Sequence, residues 1–488
     1  MYSTEKEFKI KLNNPEFRYD VFQMINLFYS FADINFIELN SDEQVDLFVK
    51  VHEDTIKLIG RERIEEFDIN KNYKIKEEVR KAVFKFLSKD TGKALPWGTL
   101  VGIRPSKKAL ELLEKGCSEE EIIKTFKVIH ETSEEKAELC IEVAKYERNI
   151  VNKDENTISV YIGMPFCPTR CVYCSFTSNP ISGCKSLVKP YLNALSNEIK
   201  ALSGYIKSRD LNIESVYFGG GTPTAVNNDE FEIILRDIYD YFVHNHNVKE
   251  FTVECGRPDS ITEEKLRTMK KYNVHRISIN PQTMNNKTLK LIGRNHTAED
   301  AVDKFNLARQ LGFNNINMDV IVGLPGEGIE EINYTCEELL KLKPDSLTVH
   351  GMSIKRASKL YENMVNNTQY EIPSQQELNE MYKATVELSK ELGMIPYYMY
   401  RQKNMVGNME NVGYSEKGKE GIYNIQMIEE KQTIIALGAD AVSKVIFLEE
   451  NRIERFGNVK DVREYVNRID EMIDKKVKLL DSLYKPEQ

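Results

Sequence analysis

The sequence predicts an α/β protein: a partial (β/α)6 TIM-like barrel, preceded by an N-terminal α+β domain and followed by a C-terminal α/β extension. Three observations carry that expectation. Between residues 157 and 350, six short apolar strands alternate with stretches of helical length and period, the pattern of a parallel sheet. The residues able to do chemistry fall at the ends of those strands, where such barrels gather their active-site groups. A chain of 488 residues also exceeds what one ordinary core organises, so further units must flank the barrel.

Composition narrows the class. A hydrophobic fraction of 41% with 29% charged residues describes a globular protein. The longest apolar runs, 434–438 and 320–324, fall far short of a membrane span, and the first seven residues show no basic stretch leading into an apolar one. Neither a span nor a signal peptide is expected. Eight cysteines in so long a chain, three of them clustered, do not describe a disulfide framework, so a reducing cytoplasm is expected. A net charge of −9 argues against nucleic acid, which asks for a basic face.

Residues 1–150 read as the N-terminal α+β domain. Stretches 45–51 and 55–59, joined by His52-Glu-Asp, form a hairpin. Residues 73–88 and 106–115 are amphipathic helices, the second closed by Gly116. Ser118 and Ser133 stand just before glutamates and serve as N-caps of two more helices. Stretch 95–105 holds the only tryptophan, Trp97, and is either an interface to the barrel or a structural loop.

The polar run 152–156 marks a boundary, and residues 151–355 form the barrel. Its strands are 158–162, 215–218, 250–254, 276–279, 316–322 and 346–350, with helices such as 191–205, 229–242 and 297–311 between them. Residues 356–488 form the extension: a helix at 375–392, an aromatic stretch at 396–402, an apolar stretch at 433–443 and a final helix near 459–483. It is expected to cover the open side of the barrel and to contribute to the substrate site.

The most informative motif follows the first strand. Cys167, Cys171 and Cys174 have C-x3-C-x2-C spacing, so one short loop offers three thiolates to a [4Fe–4S] cluster and leaves the fourth iron open. A zinc site would normally show paired C-x2-C units with a second pair downstream, and no second pair exists. Cys184 is a spare sulfur ten residues beyond. The loop resembles that of radical S-adenosylmethionine (SAM) enzymes, in which the amino acid end of SAM fills the open position.

The other candidates suit such a ligand. Gly219-Gly-Gly-Thr-Pro-Thr224 directly follows a strand, and its glycines let a ligand approach the backbone. Glu254 ends a strand and can accept from a ribose or an ammonium group. Asp319 lies in an apolar strand and is costly to bury without a partner, for which Arg294 is the candidate cation, as salt bridge or ligand clamp. Gln282 offers both donor and acceptor. Tyr161 and Tyr173 are placed to reach SAM or simply to pack, and His350 is a secondary candidate for a proton or hydrogen-bond role.

Taken together, these segments resemble the oxygen-independent coproporphyrinogen III oxidase family, the radical SAM coproporphyrinogen dehydrogenases. The resemblance covers residues 155–445 and rests on Tyr161-Ile-Gly-Met-Pro-Phe-Cys, Tyr217-Phe-Gly-Gly-Gly-Thr-Pro-Thr, Val253-Glu, Ser278-Ile-Asn-Pro-Gln, Ile292-Gly-Arg and Asn317-Met-Asp-Val-Ile-Val-Gly-Leu-Pro. The N-terminal stretch with Val101-Gly-Ile-Arg-Pro-Ser is most similar to the HemZ-like branch. The resemblance implies SAM contacts from Tyr161, Tyr173, Gly220, Gly221, Thr222, Glu254, Gln282, Arg294 and Asp319, with weaker matches at Ser353 and Val442. It implies a catalytic place for Tyr161 beside the sulfonium. It also implies a tetrapyrrole substrate and an electron donor such as flavodoxin or ferredoxin. In that family a SAM-derived radical takes hydrogen from two propionates, and loss of CO2 and an electron turns each into a vinyl, giving protoporphyrinogen IX for heme biosynthesis.

The chain departs from the family in three places. Ser175-Phe176 follows the third cysteine where the oxidases carry another Cys. Ser278-Ile-Asn-Pro-Gln replaces the usual Gly-Val-Gln ending. Residues 408–414 lack the His of the heme-chaperone branch. Heme binding and chemistry on another tetrapyrrole therefore stand as alternatives, with Arg401, Tyr397, Tyr398 and Tyr400 as candidates for propionate contact.

Overall fold

The computed structural model describes residues 7–30, 32–174, 178–355, 358–365, 372–402 and 405–485; Ser175 and Phe176 lie outside them. Strands β1 (Glu7–Leu12), β2 (Asp33–Phe36), β3 (Leu47–Val51), β4 (Thr55–Gly60) and β5 (Ile64–Asp68) form a sheet of order β2-β1-β3-β4-β5. Alternation in β1 turns Phe8, Ile10 and Leu12 to one face. Helices α1 (Arg18–Phe28) and α2 (Ile75–Thr91) cover that face with Val21, Met24, Val79, Val83 and Phe86, and α2 ends at Gly92 in the left-handed conformation.

Helices α3 (Ser106–Glu114), α4 (Glu119–His130) and α5 (Glu134–Glu147) follow as the sequence suggests. Ser118 closes a capping box with Glu121, and Ser133 accepts from the Lys136 amide. Their apolar faces, including Ala109, Phe126, Ile141 and Ala144, join the barrel's core and not that of the first sheet. The two cores therefore divide between Leu95 and Trp97, well before residue 150.

Trp97 is fully buried at this junction. Its indole N–H donates to Glu410 Oε2 at 2.6 Å, Lys136 pairs with the other Glu410 oxygen, and the Arg401 guanidinium lies 4.9 Å from the ring centroid. The stretch around Trp97 is thus an interface, tied to residues some 300 positions later by charge-assisted hydrogen bonds.

The barrel starts with β6 (Thr157–Met164), and the cysteine loop carries the short pair β7 (Phe166–Cys167) and β8 (Asn179–Pro180). Next come α6 (Lys185–Ser208), β9 (Asn212–Gly220), α7 (Asn228–Ile238), β10 (Glu250–Gly256), α8 (Glu263–Lys271), β11 (Arg276–Ile279), α9 (Asn286–Leu291), α10 (Ala298–Gln310), β12 (Ile316–Val322), α11 (Ile329–Leu342) and β13 (Ser346–Gly351). All six expected strands are present and pair in parallel, β6-β9-β10-β11-β12-β13. They are nearly continuous runs of buried residues because helices cover the outer face.

The extension holds α12 (Lys359–Val365), α13 (Gln375–Glu391), β14 (Ile395–Tyr400), β15 (Asn411–Ser415), α14 (Ile422–Glu429), β16 (Thr433–Leu437), β17 (Val442–Phe447), β18 (Arg452–Gly457), α15 (Val462–Asn467) and α16 (Ile469–Leu480). It lengthens the same sheet at both edges. β15 joins β13 antiparallel and β14 follows it, while β16 pairs in parallel with β6 and carries β17 and β18 outward. Among the described residues the sheet has eleven strands, so β6 lies inside it and its end, where the cysteines begin, is flanked by β9 and β16.

Candidate functional site

The cysteine loop is docked rather than hanging. Cys167 and Cys171 are 7% and 9% exposed. The Val172 amide donates to Ile292 O at 3.0 Å, Thr169 Oγ1 to Gly293 O at 3.1 Å, and the Leu360 amide to Val172 O at 2.9 Å. Thr222 Oγ1 lies 3.4 Å from Cys167 Sγ, and Arg257 Nη1 lies 3.8 Å from Cys171 Sγ, which the Arg294 guanidinium also meets. Such donors stabilise thiolate ligands. Among the described residues, no three His, Cys, Asp or Glu side chains are drawn together as one metal ion requires. A cubane asks for a wider set, because each thiolate binds a different corner.

The glycine turn lies against this loop. Gly220 has φ +101°, a conformation that favours glycine. A Cβ on Gly221 would stand 2.7 Å from Phe166 O and 3.0 Å from Cys167 Sγ. The turn is fixed by hydrogen bonds from the Gly221 amide to Met164 O at 2.5 Å and from the Thr222 amide to Phe166 O at 2.8 Å. Gly220, Gly221 and Thr222 therefore lie against the cysteine loop.

Across the mouth, Asp319 finds its cation on the neighbouring strand. His350 Nε2 lies 3.5 Å from Asp319 Oδ2, and Asn317 Nδ2 donates to Oδ1 at 2.7 Å. Burial opposes ionisation of Asp319, but His350 and Asn317 outweigh it and hold the carboxyl below its usual range. Burial likewise opposes the His350 charge, and Asp319 outweighs it, raising the imidazole. Arg294 is not the partner: its Nη1 donates to Asn280 O at 2.6 Å, and the guanidinium faces Tyr173 and Cys171. The expected Arg294–Asp319 pair is thus replaced by His350–Asp319, since β13 runs beside β12 in register Ile321–His350.

Glu254 lies two residues before the end of β10, between these groups. Desolvation and the nearby Asp319 carboxylate push its carboxyl up to about 7, against the Tyr217 hydrogen bond and the His350 and Arg276 charges. Tyr161 on β6 and Tyr217 on β9 are register partners, with ring centroids 6.2 Å apart and planes 16° apart; Tyr423 of α14 stacks 4.6 Å from Tyr217. Gln282 has φ +70° and bridges to β12, its amide donating to Asp319 O at 3.0 Å.

Several buried atoms here have no hydrogen-bond partner among the described residues: Ser278 Oγ, Asn280 Oδ1, Gln282 Oε1 and Arg294 Nε. Unsatisfied polar atoms grouped at one strand end are costly unless a polar ligand meets them. SAM has the ammonium, carboxylate, ribose and adenine to do so, and these residues fit it.

Ser353 follows β13 and bridges to Met405, and Val442 opens β17 at 46% exposure on the rim beyond β16. Arg401 does not serve propionates: it is 4% exposed and its guanidinium is taken by the carbonyls of Leu100, Asn408 and Met409. Tyr397 and Tyr398 are buried in a small core with Ile425 and Ile428. Sequence reasoning passed over Tyr217, Asn411 and Arg257. Tyr217 was findable from its register with Tyr161, and Arg257 from an Arg-Pro-Asp step three residues past Glu254. Asn411, whose Oδ1 accepts from the Gly351 amide at 3.0 Å and which meets His350, left no local signal.

Three thiols on one loop, a glycine turn against them and an unsatisfied polar mouth at the strand ends define a radical SAM protein, with a [4Fe–4S] cluster and SAM as its cofactors; residues 161–339 match the Radical SAM superfamily. The chain belongs to the oxygen-independent coproporphyrinogen III oxidase-like family within it: it is 42% identical over 415 residues to the oxygen-independent coproporphyrinogen-III oxidase-like protein HemZ of Bacillus subtilis (strain 168), covering 84% of this chain and 82% of that one. It is also 30% identical over 239 residues to the heme chaperone HemW of the same organism, 49% of this chain and 62% of that one. Among solved structures, coproporphyrinogen III oxidase (HemN) from Escherichia coli shares the fold, with a TM-score of 0.51 at 19% identity over 67% of this chain and 72% of that one.

Proposed function

We propose that this protein is a cytoplasmic oxidoreductase that decarboxylates propionates of coproporphyrinogen III to vinyls, yielding protoporphyrinogen IX. The observation that carries the reading is the polar mouth, where Gln282, Asn280, Ser278 and Arg294 await a ligand beside the cysteine loop. A relative 42% identical over 84% of this chain is named for coproporphyrinogen-III oxidase likeness, which supports the substrate class.

When bound, the cluster and SAM supply the one-electron chemistry that removes a hydrogen atom from the propionate β-carbon. Each propionate side chain of the substrate loses that hydrogen atom, CO2 and one electron, the last passing to a one-electron acceptor. Flavodoxin or ferredoxin suits the supply of the initiating electron. The residues of the chain bind and orient. Gly220, Gly221 and Thr222 would hold the amino acid end of SAM, and Arg294 with Tyr173 closes one side of the site. Glu254 would accept from the ribose, and Tyr161, within the field of Glu254 and Asp440, would stand on the sulfonium side. The Asp319 carboxylate, 3.5 Å from the His350 ring, outweighs burial and raises the proton affinity of that imidazole at the mouth.

Heme binding is the second reading, because a heme chaperone is among the relatives. Against it, His350 is engaged by Asp319 and Asn411. Anaerobic incubation of reconstituted protein with SAM, dithionite and coproporphyrinogen III tests the proposal. Protoporphyrinogen IX must form above the level of Cys171→Ala. Its absence, together with tight heme binding in a titration, would move the assignment to the chaperone reading.

A further inference from the structure

The site so far accounts for the cysteines and for one arginine beside them, but a second guanidinium touches the same sulfur. Arg257 follows β10, three residues beyond Glu254, and is 3% exposed. Its planar fork is used on two sides. Nε and Nη2 bind the two Asp259 oxygens at 3.0 and 2.8 Å. Nη1 points the other way, 2.8 Å from Thr169 Oγ1, 3.2 Å from Thr169 O and 3.8 Å from Cys171 Sγ.

We propose that Arg257 is a positioning residue that sets the reduction potential of the cluster by presenting the positive edge of the Arg257–Asp259 pair to Cys171. The counter-charge sits on the far side of the guanidinium, so the pair acts on the sulfur as an oriented dipole. Reduction adds one negative charge to the cluster. A buried positive edge beside a ligand sulfur favours the reduced state, and hydrogen bonds to cluster sulfurs act in the same sense. Water screens little here, because Arg257 and Cys171 are both buried. Arg257 also ties down Thr169, which in turn bonds Gly293 O, so the same contact braces the loop on the segment before Arg294. The inference rests on the cluster alone and holds for any substrate.

The test uses the full chain reconstituted anaerobically without SAM, with iron counted and the cluster titrated against potential by electron paramagnetic resonance. Arg257→Gln should lower the ratio of reduced to oxidised cluster at fixed potential about tenfold, a midpoint about 59 mV lower for one electron. Arg257→Lys, which keeps the charge, should recover most of that shift. Asp259→Asn removes the counter-charge and should move the midpoint upward. A full iron complement with an unchanged midpoint in Arg257→Gln would overturn the proposal, as would equal downward shifts in Arg257→Gln and Asp259→Asn. Should Arg257→Gln fail to hold iron, Asp259→Asn decides alone: a raised midpoint supports the dipole, and an unchanged or lowered one refutes it.

Discussion

His350 Nε2 lies 3.5 Å from Asp319 Oδ2, across two adjacent parallel strands whose chain positions differ by 31 residues. The aspartate that looked expensive to bury is therefore paired by the next strand. That pairing leaves Arg294 free to face the cysteine loop.

Replacing Asp319 with Asn should remove the support for the His350 charge and let its imidazole pKa fall, read by NMR titration of the ring. The raised His350 contributes fully below its unfolded value of 6.5 and loses that contribution as pH rises through its folded value. The depressed Asp319 contributes above its unfolded value of 3.8 and loses that as pH falls through its folded value. The pair is thus strongest between those two unfolded values, and the fall in Tm from pH 6 to pH 8 should shrink in the variant. SAM affinity should drop roughly 10- to 100-fold, the worth of one charge-assisted hydrogen bond.

Glu254 gives a signal of the same sign as His350 and opposite to that of Asp319. Its carboxyl, pushed up to about 7, keeps in the folded state a proton that the unfolded chain has released, so its contribution to stability falls as pH rises from 4.5 toward 7. SAM carries a sulfonium and an ammonium and favours the ionised carboxylate. Calorimetry should find SAM binding tighter at pH 8 than at pH 6 in the native protein, and a flatter profile in Glu254→Gln.

Gly221 should tolerate no methyl group. An alanine Cβ there meets Phe166 O, Met164 O and Cys167 Sγ within about 3 Å, two of the three being backbone atoms that cannot swing aside. Overpacking of this kind costs about 1–3 kcal/mol. Gly221→Ala should therefore lose roughly 5- to 100-fold in SAM affinity, with an unchanged far-ultraviolet circular dichroism spectrum.

The last helix is held by a buried ion pair. Lys476 and Glu198 are both fully buried, and Glu198 also accepts from the Gly438 amide at 2.8 Å, Asn458 Nδ2 at 2.9 Å and Tyr465 OH at 2.6 Å. Lys476→Met strands the carboxylate and should cost about 3–5 kcal/mol in denaturant unfolding. Adding Glu198→Gln should restore part of the loss.

Much of this was legible along the chain because it is local. The six barrel strands, the caps at Ser118 and Ser133 and the cysteine and glycine motifs each announce themselves within a dozen residues, through period, turn chemistry or spacing. The contacts that sequence reasoning missed or misplaced are long-range. Trp97 pairs with Glu410, β16 lies beside β6, and the core divides before Trp97 because the helices after it face the barrel.

By itself, then, the sequence determined a parallel barrel and a three-cysteine loop at its mouth, since hydrophobic period and ligand spacing are properties of short segments. The tertiary structure alone decided which charge answers which. His350 reaches Asp319 through strand register, Arg257 reaches Cys171 because the cysteine loop docks on the residue that follows β10, and Arg401 is spent on backbone carbonyls instead of substrate. A buried charge takes the partner that the fold brings within a few ångströms, and no local pattern encodes that partner.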